Sequence, residues 1–218
     1  MVMVGSDLAG IELRLLAHYL ARYDGGKYAD ILLNGDIHAE NAKKVGVSRR
    51  EIKTITYAFL YGAGDKKIGT SFDGSLGEDQ AKRKGKEIRN AYVDAIEGLS
   101  ELLAAVKRAA QRGYVRGLDG RHIGVDKGHK ALNYLIQGSA ATLAKRWMVL
   151  AHYATLPHNH TNQLAFIHDE LQYETTPDYA DDLKFLLEFT ATQAGEYYNL
   201  RIPIAAESKA GINWSEVH

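Results

Sequence analysis

The sequence predicts an α+β fold in which helices outnumber strands. Three observations carry this. Apolar residues recur at helical spacing over several long stretches in the middle of the chain. Short apolar runs ending in polar or turn residues sit near both ends, as strands do. No run approaches the ~18 consecutive apolar residues a membrane span needs.

In chain order, Val2 to Asp7 reads as a short buried strand ending in a polar residue. Ile11, Leu15, Leu16 and Leu20 then mark a helix, which Gly25 and Gly26 end. A short helix over 28–33 and an Asn34-Gly35 turn lead to Asp36-Ile37-His38. Ser48 followed by Glu51 is a capping box for the next helix, which runs to Tyr61 and stops at Gly62-Ala63-Gly64. Residues 65–77, with Gly69, Gly74 and Gly77, read as a loop. Helices are expected over about 78–94 and 97–112, and a β-hairpin over 114–125 turning at Asp119-Gly120. A long, largely buried helix follows over 130–151. Two strands over 164–174 bend at His168-Asp169-Glu170; a helix over 180–198 and a last strand over 202–207 complete the pattern.

The composition is that of an ordinary globular protein, 45% hydrophobic and 25% charged over 218 residues. There is no cysteine, which excludes disulfides and thiolate metal sites, so any metal here meets nitrogen or oxygen. Net charge is zero, whereas a nucleic-acid binder usually has a basic excess. The distribution is uneven, however. Lys43 to Lys53, Lys82 to Arg89 and Lys107 to Arg121 each hold five basic residues, while acids gather between Asp178 and Glu188. A zero total can thus conceal a basic face, although solvated helix surfaces give the same pattern.

Three constellations could carry chemistry. Asp7 and Asp169 each follow a short apolar strand-like run. Two carboxylates at the ends of neighbouring strands repel and are stabilised by a cation. Oxygen donors of this kind suit magnesium, and a pair of ions could serve phosphoryl transfer. The alternative is that each is simply a turn aspartate. Arg49, Lys53, Tyr57 and Tyr61 are spaced four apart, so on a helix they form one slowly drifting stripe, two cations and then two aromatics. Such a stripe could hold a triphosphate at one end and a base at the other, or it could belong to an ordinary amphipathic helix. His129, Asn133 and Gln137 form a third four-spaced series, suited either to lining a groove and meeting minor-groove acceptors or to buried structural amides.

The ordered set resembles a known family. Asp7-Leu8-Ala9-Gly10-Ile11-Glu12-Leu13-Arg14 looks like the first palm motif of family A, polymerase I-like DNA polymerases. Arg49 to Gly62 matches their fingers motif, and Ile167-His168-Asp169-Glu170 their second palm motif. The phage replicative branch is the most similar, through His18 to Tyr23, Asn34 to His38, Tyr61 to Asp65 and Gly211 to Trp214, with His218 at the terminus. The resemblance implies a right-hand polymerase without a thumb: palm, an antiparallel sheet with helices, over 1–27 and 114–218, and helical fingers over 28–113.

Carried over position by position, it implies two Mg2+ ions held by Asp7, Asp169 and the Leu8 carbonyl. His38, Arg49 and Lys53 would contact the triphosphate of a dNTP, and Lys53 could protonate the leaving pyrophosphate. Tyr57 and Tyr61 would hold the sugar and base, and Glu12 would exclude a 2′-hydroxyl. His168 and Glu170 would sit near the primer terminus, while Arg121, His129, Asn133 and Gln137 would follow the primer-template duplex. His129 departs from the arginine common in relatives. Family members carry a thumb and further palm before the first motif, and this chain begins six residues ahead of Asp7. The expected partner is therefore an N-terminal polypeptide supplying thumb and remaining palm, one half of a split polymerase, with a strand at Val2 left unpaired until it binds. A truncated or degenerate form is the alternative. The expected setting is cytoplasmic, that of the host cell for a phage protein. Rival readings are a non-catalytic primer-template or protein-binding module, and a magnesium-dependent nuclease, which would not need the 49–61 stripe.

Overall fold

The computed structural model describes all residues, 1–218, and divides into two compact units, residues 1–15 with 138–218 and residues 16–137. The expected palm and fingers boundaries, at 27/28 and 113/114, do not coincide with these divisions. Two helices cross from unit to unit: α1 (Ile11–Asp24) and α8 (Ala131–Thr155). No helix is long and apolar enough to cross a membrane.

The first unit is built on a four-stranded antiparallel sheet in the order β4-β5-β1-β6. Its strands are β1 (Val2–Leu8), β4 (Asn162–Ile167), β5 (Glu170–Thr175) and β6 (Ala206–Gly211). The expectation of an unpaired strand at Val2 is corrected here. β1 is an inner strand, paired with β5 from Val2↔Thr175 to Asp7↔Glu170 and with β6 from Met3↔Gly211 to Leu8↔Ala206. Both neighbours come from later in the same chain, so the missing flanks are supplied by its own C-terminal third. Helix α9 (Ala180–Tyr197) packs on β1 and β6, and α10 (Trp214–Val217) lies against the same two strands. Fully buried Leu8, Trp147, Leu171, Leu183 and Leu187 form the core. Trp147 satisfies its indole N–H on the Leu187 carbonyl at 2.9 Å. The last strand is shifted from the expected 202–207. Ile202 and Ile204 are buried but unpaired, because Arg14 and Thr192 take the carbonyls of Pro203 and Ile204 that a ladder would use.

The second unit is helical: α2 (Lys27–Asn34), α3 (Ile37–Val45), α4 (Arg49–Leu60), α5 (Asp65–Phe72), α6 (Glu78–Ala95) and α7 (Leu99–Ala110). It also holds the hairpin of β2 (Tyr114–Arg116) and β3 (His122–Gly124), which turns through Asp119 and Gly120 as the sequence predicts. Helix α3 was not anticipated; Asp36 caps it by accepting from the Ala39 N–H at 2.9 Å. The expected 65–77 loop is a helix over most of its length. Gly69 does not break α5; its bare Cα lets the backbone of Ala81 on α6 approach so closely that a Cβ would lie 1.9 Å from the Ala81 oxygen. Phe59 and Tyr92, with ring centres 5.1 Å apart, join α4 to α6 in the core.

Candidate active site

Sheet register assembles the first unit's carboxylates. At the C-terminal end of β1, Asp7 stands opposite Glu170 on β5 and Glu207 on β6. Asp169 occupies a two-residue turn between Ile167 and Glu170, which pair with one another. Its neighbour His168 adopts φ 56°, a left-handed conformation rare outside glycine, and this strain turns the chain back at Asp169. The Leu8 N–H donates to the Asp169 carbonyl at 3.1 Å, tying the turn to the strand end that carries Asp7.

The electrostatics follow from this crowding. Asp7 is exposed at its edge, yet partial enclosure by the surrounding protein pushes its pKa up to about 6. Repulsion from Asp169, Glu170 and Glu207 adds to this, and His218 opposes it. Asp169 is also raised, first by partial burial and then by Glu12 and Glu170, against its backbone hydrogen bond and His168. Repulsion between the Asp7 and Asp169 carboxylates belongs to the pair and opposes having both ionised at once. Glu170 faces inward. It is buried, accepts from the Gln172 amide, and pairs with His218 Nδ1 at 2.9 Å, while Lys209 Nζ donates to the His218 main-chain oxygen at 3.2 Å. His218 thus partners the most buried carboxylate of this cluster.

The donor set fits magnesium. Two carboxylates raised by enclosure and repulsion are groups that a divalent cation stabilises, and the main chain of Leu8 lies at the same strand end. No three His, Asp or Glu side chains converge into a closed cage. The pair therefore suits an ion that keeps water and phosphate oxygens in its shell, as magnesium does.

Sequence reading missed Arg14 as a support. Its Nε donates to the Ala9 carbonyl at 2.7 Å and its Nη1 to Pro203 at 2.6 Å, pinning the turn after Asp7 to the segment before β6. The available signal was its place as the last residue of the 7–14 motif. Glu12, half-buried in the first turn of α1, is close enough to Asp169 to raise it.

In the second unit the 49–61 stripe forms as expected. Ser48 and Glu51 make the capping box of α4, whose inner face buries Ile52, Ile55, Thr56, Phe59 and Leu60. Arg49 and Lys53 are exposed, Tyr57 is half-buried, and Tyr61, just past the helix end, is 54% exposed. Arg49 Nε meets Asp36 Oδ2 at 2.6 Å, so the residue capping α3 also fixes the first cation of the stripe. His38 on α3 lies with its ring centre 6.3 Å from that of Tyr57. Burial lowers its pKa, and Arg49 and Lys53 add to this against Asp36, so the neutral imidazole is favoured. Its Nδ1 is buried without a hydrogen-bond partner. His38, Arg49, Lys53 and Tyr57 are thus brought together.

The third series is divided. Asn133 Nδ2 donates to the Leu60 carbonyl at 2.9 Å and so closes the C-terminal end of α4. Gln137 is half-buried on α8, the helix that carries Asn133. His129 sits in a single 3₁₀ turn, Gly128–Lys130, before α8 begins, where steps of about 120° per residue take it off the α-helical stripe. Arg121 is exposed and bonded to Asp119 at 2.5 Å within the hairpin.

The family model for DNA polymerase family A matches residues 1–216. The chain belongs to the family A DNA polymerases. Among this polymerase chain's relatives, the DNA-directed DNA polymerase of Enterobacteria phage T3 is 33% identical and that of Escherichia phage T7 is 32% identical, each over the whole of this chain. DNA polymerase I of Caldicellulosiruptor bescii is 27% identical over 99% of it. The chain spans 33% of the length of either phage polymerase. In fold it is similar to the POL domain of Pol1 from M. smegmatis, solved in complex with DNA primer-template and dNTP. That match has a TM-score of 0.81 and 24% identity, over 100% of this chain and 40% of that one.

Proposed function

We propose that this chain is the nucleotide-adding region of a DNA-directed DNA polymerase, extending a primer 3′-OH with deoxynucleotides on a DNA template. The observation that carries the proposal is the Asp7–Asp169 pair, tied together through Leu8, in a chain of this family. Asp7, Asp169 and the Leu8 carbonyl would hold two magnesium ions. When bound, such ions would activate the attacking oxygen and neutralise charge on the phosphates.

The chain's own residues would do the rest. Arg49 and Lys53 would grip the triphosphate, with neutral His38 offering a ring nitrogen, and Lys53 would pass a proton to the leaving pyrophosphate. Tyr57 and Tyr61 would hold base and sugar, and Glu12 would close off the space for a 2′-hydroxyl. His168 is exposed at the turn beside Asp169 and would face the primer end; Glu170, clasped by Gln172 and His218, would steady that turn from beneath. Arg121, His129, Asn133 and Gln137 would follow the duplex, Asn133 with the donor that Leu60 leaves over. Because the chain covers a third of its phage relatives, thumb and remaining palm would come from further polypeptide, in the cytoplasm of the cell that replicates the DNA.

Primer extension tests this, with the chain alone and with a polypeptide covering the rest of a relative's length. Extension by the pair, abolished by Asp169→Ala and by Asp7→Ala, supports the reading. Full activity in either variant refutes the metal assignment, and efficient extension by the chain alone refutes the need for a partner.

A further inference from the structure

Helix α9 carries a feature that nucleotide addition does not use. Phe185 and Phe189, one turn apart, are 70% and 49% exposed and stack in parallel with ring centres 6.1 Å apart. Beside them a hollow of about 330 Å³ is lined by both rings with Glu188, Thr192, Ala205 and Ala206. Helical steps of 100° place Asp181, Asp182, Phe185, Phe189 and Glu196 within about 100° of arc, and all five are exposed. Acids therefore stand at both ends of an aromatic face. Between Asp178 and Glu196 there are five acids against one cation, Lys184, which Asp181 already holds at 2.6 Å.

Solvent exposure of two adjoining phenylalanines over a hollow is unfavourable unless something covers them. The charge decides what. A surface of this sign repels nucleic acid and anionic lipid and attracts cations. An apolar side chain seated in the hollow, between lysines or arginines facing Asp182 and Glu196, satisfies both halves of the surface. We propose that this face of α9 is a docking site for a basic segment of another protein, anchored by an apolar side chain between the phenylalanines and the Ala205-Ala206 edge. The proposal stands apart from the polymerase reading, since no residue of that site takes part.

The test is fluorescence anisotropy with the full chain and two dye-labelled amphipathic peptides of about 15 residues. One carries Leu and Phe on one face and Lys on the other; the second replaces Lys by Glu. The lysine peptide should bind saturably, more weakly at about 0.5 M than at 0.05 M salt, and the glutamate peptide at least tenfold more weakly. The double variant Phe185→Ser, Phe189→Ser should weaken binding at least tenfold. Asp182→Asn with Glu196→Gln should weaken it several-fold and flatten the salt dependence. Both pairs are exposed, so the melting temperature should hold. Equal binding of the two peptides, or unchanged binding by the serine variant, overturns the proposal. So does a dimer of the wild-type chain in sedimentation that the serine variant disperses, since a second copy would then be the occupant.

Discussion

The N–H of Leu8 donates to the carbonyl of Asp169, so the two segments bearing the paired carboxylates are joined by main chain rather than by the carboxylates themselves. The side chains of Asp7 and Asp169 are thereby left to bind something else, and their removal should not dismantle the sheet.

Cation binding should therefore depend on pH in a definite way. Asp7 must lose a proton held with a pKa of about 6 before it can serve as a ligand. The affinity of the chain for Mg2+ or Mn2+, measured by titration calorimetry, should fall about tenfold per unit as pH drops below 6 and level off above it. Asp7→Asn should remove most of the affinity and the pH dependence with it. A flat profile in the parent protein would show that Asp7 is not a ligand.

The same shift has a consequence for stability without metal. The folded-state pKa of Asp7 lies above its unfolded value, so between about pH 4 and pH 6 the folded chain holds more protons, and stability declines as pH rises. Asp7→Asn removes that decline. Discounted for the solvent that reaches Asp7, the variant should melt about 2–4 °C higher at pH 7.5 in metal-free buffer, and the two curves should converge as pH falls towards 4. Thermal melts at both pH values decide it, and a variant less stable at pH 7.5 would contradict the proposed repulsion.

How much of this was legible in the sequence depended on how local the cause was. The capping box of α4 and its four-spaced stripe could be read directly, because both are set within one turn or one helix face. Asp7 and Asp169 could be picked out by their strand-end setting, but their neighbours could not. Glu207 joins them through the register of β6, and the pairing of Glu170 with His218 spans 48 residues. β1 has no partner strand upstream of it; β5 and β6 return to flank it from beyond residue 169, a separation that local patterning does not encode. For Asn133, spacing left groove lining and a structural amide equally open; its tie to Leu60 joins positions 73 apart and leaves no trace in spacing.

Arg14 offers a test of one such distant cause. Its two charged hydrogen bonds, to Ala9 and Pro203, hold the turn after Asp7, and partial burial lowers its pKa, with Glu207 opposing. Arg14→Ala leaves two carbonyls without their donor and should cost about 2 kcal/mol, a fall in Tm of about 4–8 °C. Arg14→Lys should recover only part of this, because an ammonium lacks the fork that reaches both oxygens. Recovery to the parent Tm in Arg14→Lys would show that charge alone matters at this position.

The glycines of α5 and α6 give the clearest difference in sign between a loop and a packed helix pair. If Gly85 were merely a tolerated helical glycine, Gly85→Ala would stabilise the chain by up to about 1 kcal/mol through helix propensity. The structure requires the opposite. A Cβ at Gly85 would lie 1.8 Å from the Asp65 oxygen, and one at Gly69 1.9 Å from the Ala81 oxygen. Both obstacles are backbone, so neither can swing aside, and the helices would have to separate. Arg89 would be disturbed too, since it reaches across to Asp65 at 2.6 Å and to the Ala63 carbonyl at 2.5 Å, just beyond Tyr61 and Gly62. Gly85→Ala and Gly69→Ala should each destabilise by about 3 kcal/mol or more, the upper range for overpacking. Gly74→Ala is the control, because its nearest atom would be 4.0 Å away. Melting curves for the three variants, followed by helical circular dichroism, settle the matter. If Gly85→Ala melts at or above the parent temperature while Gly74→Ala is neutral, then α5 and α6 do not cross at their glycines, and the segment after Tyr61 is the loop that its composition suggests.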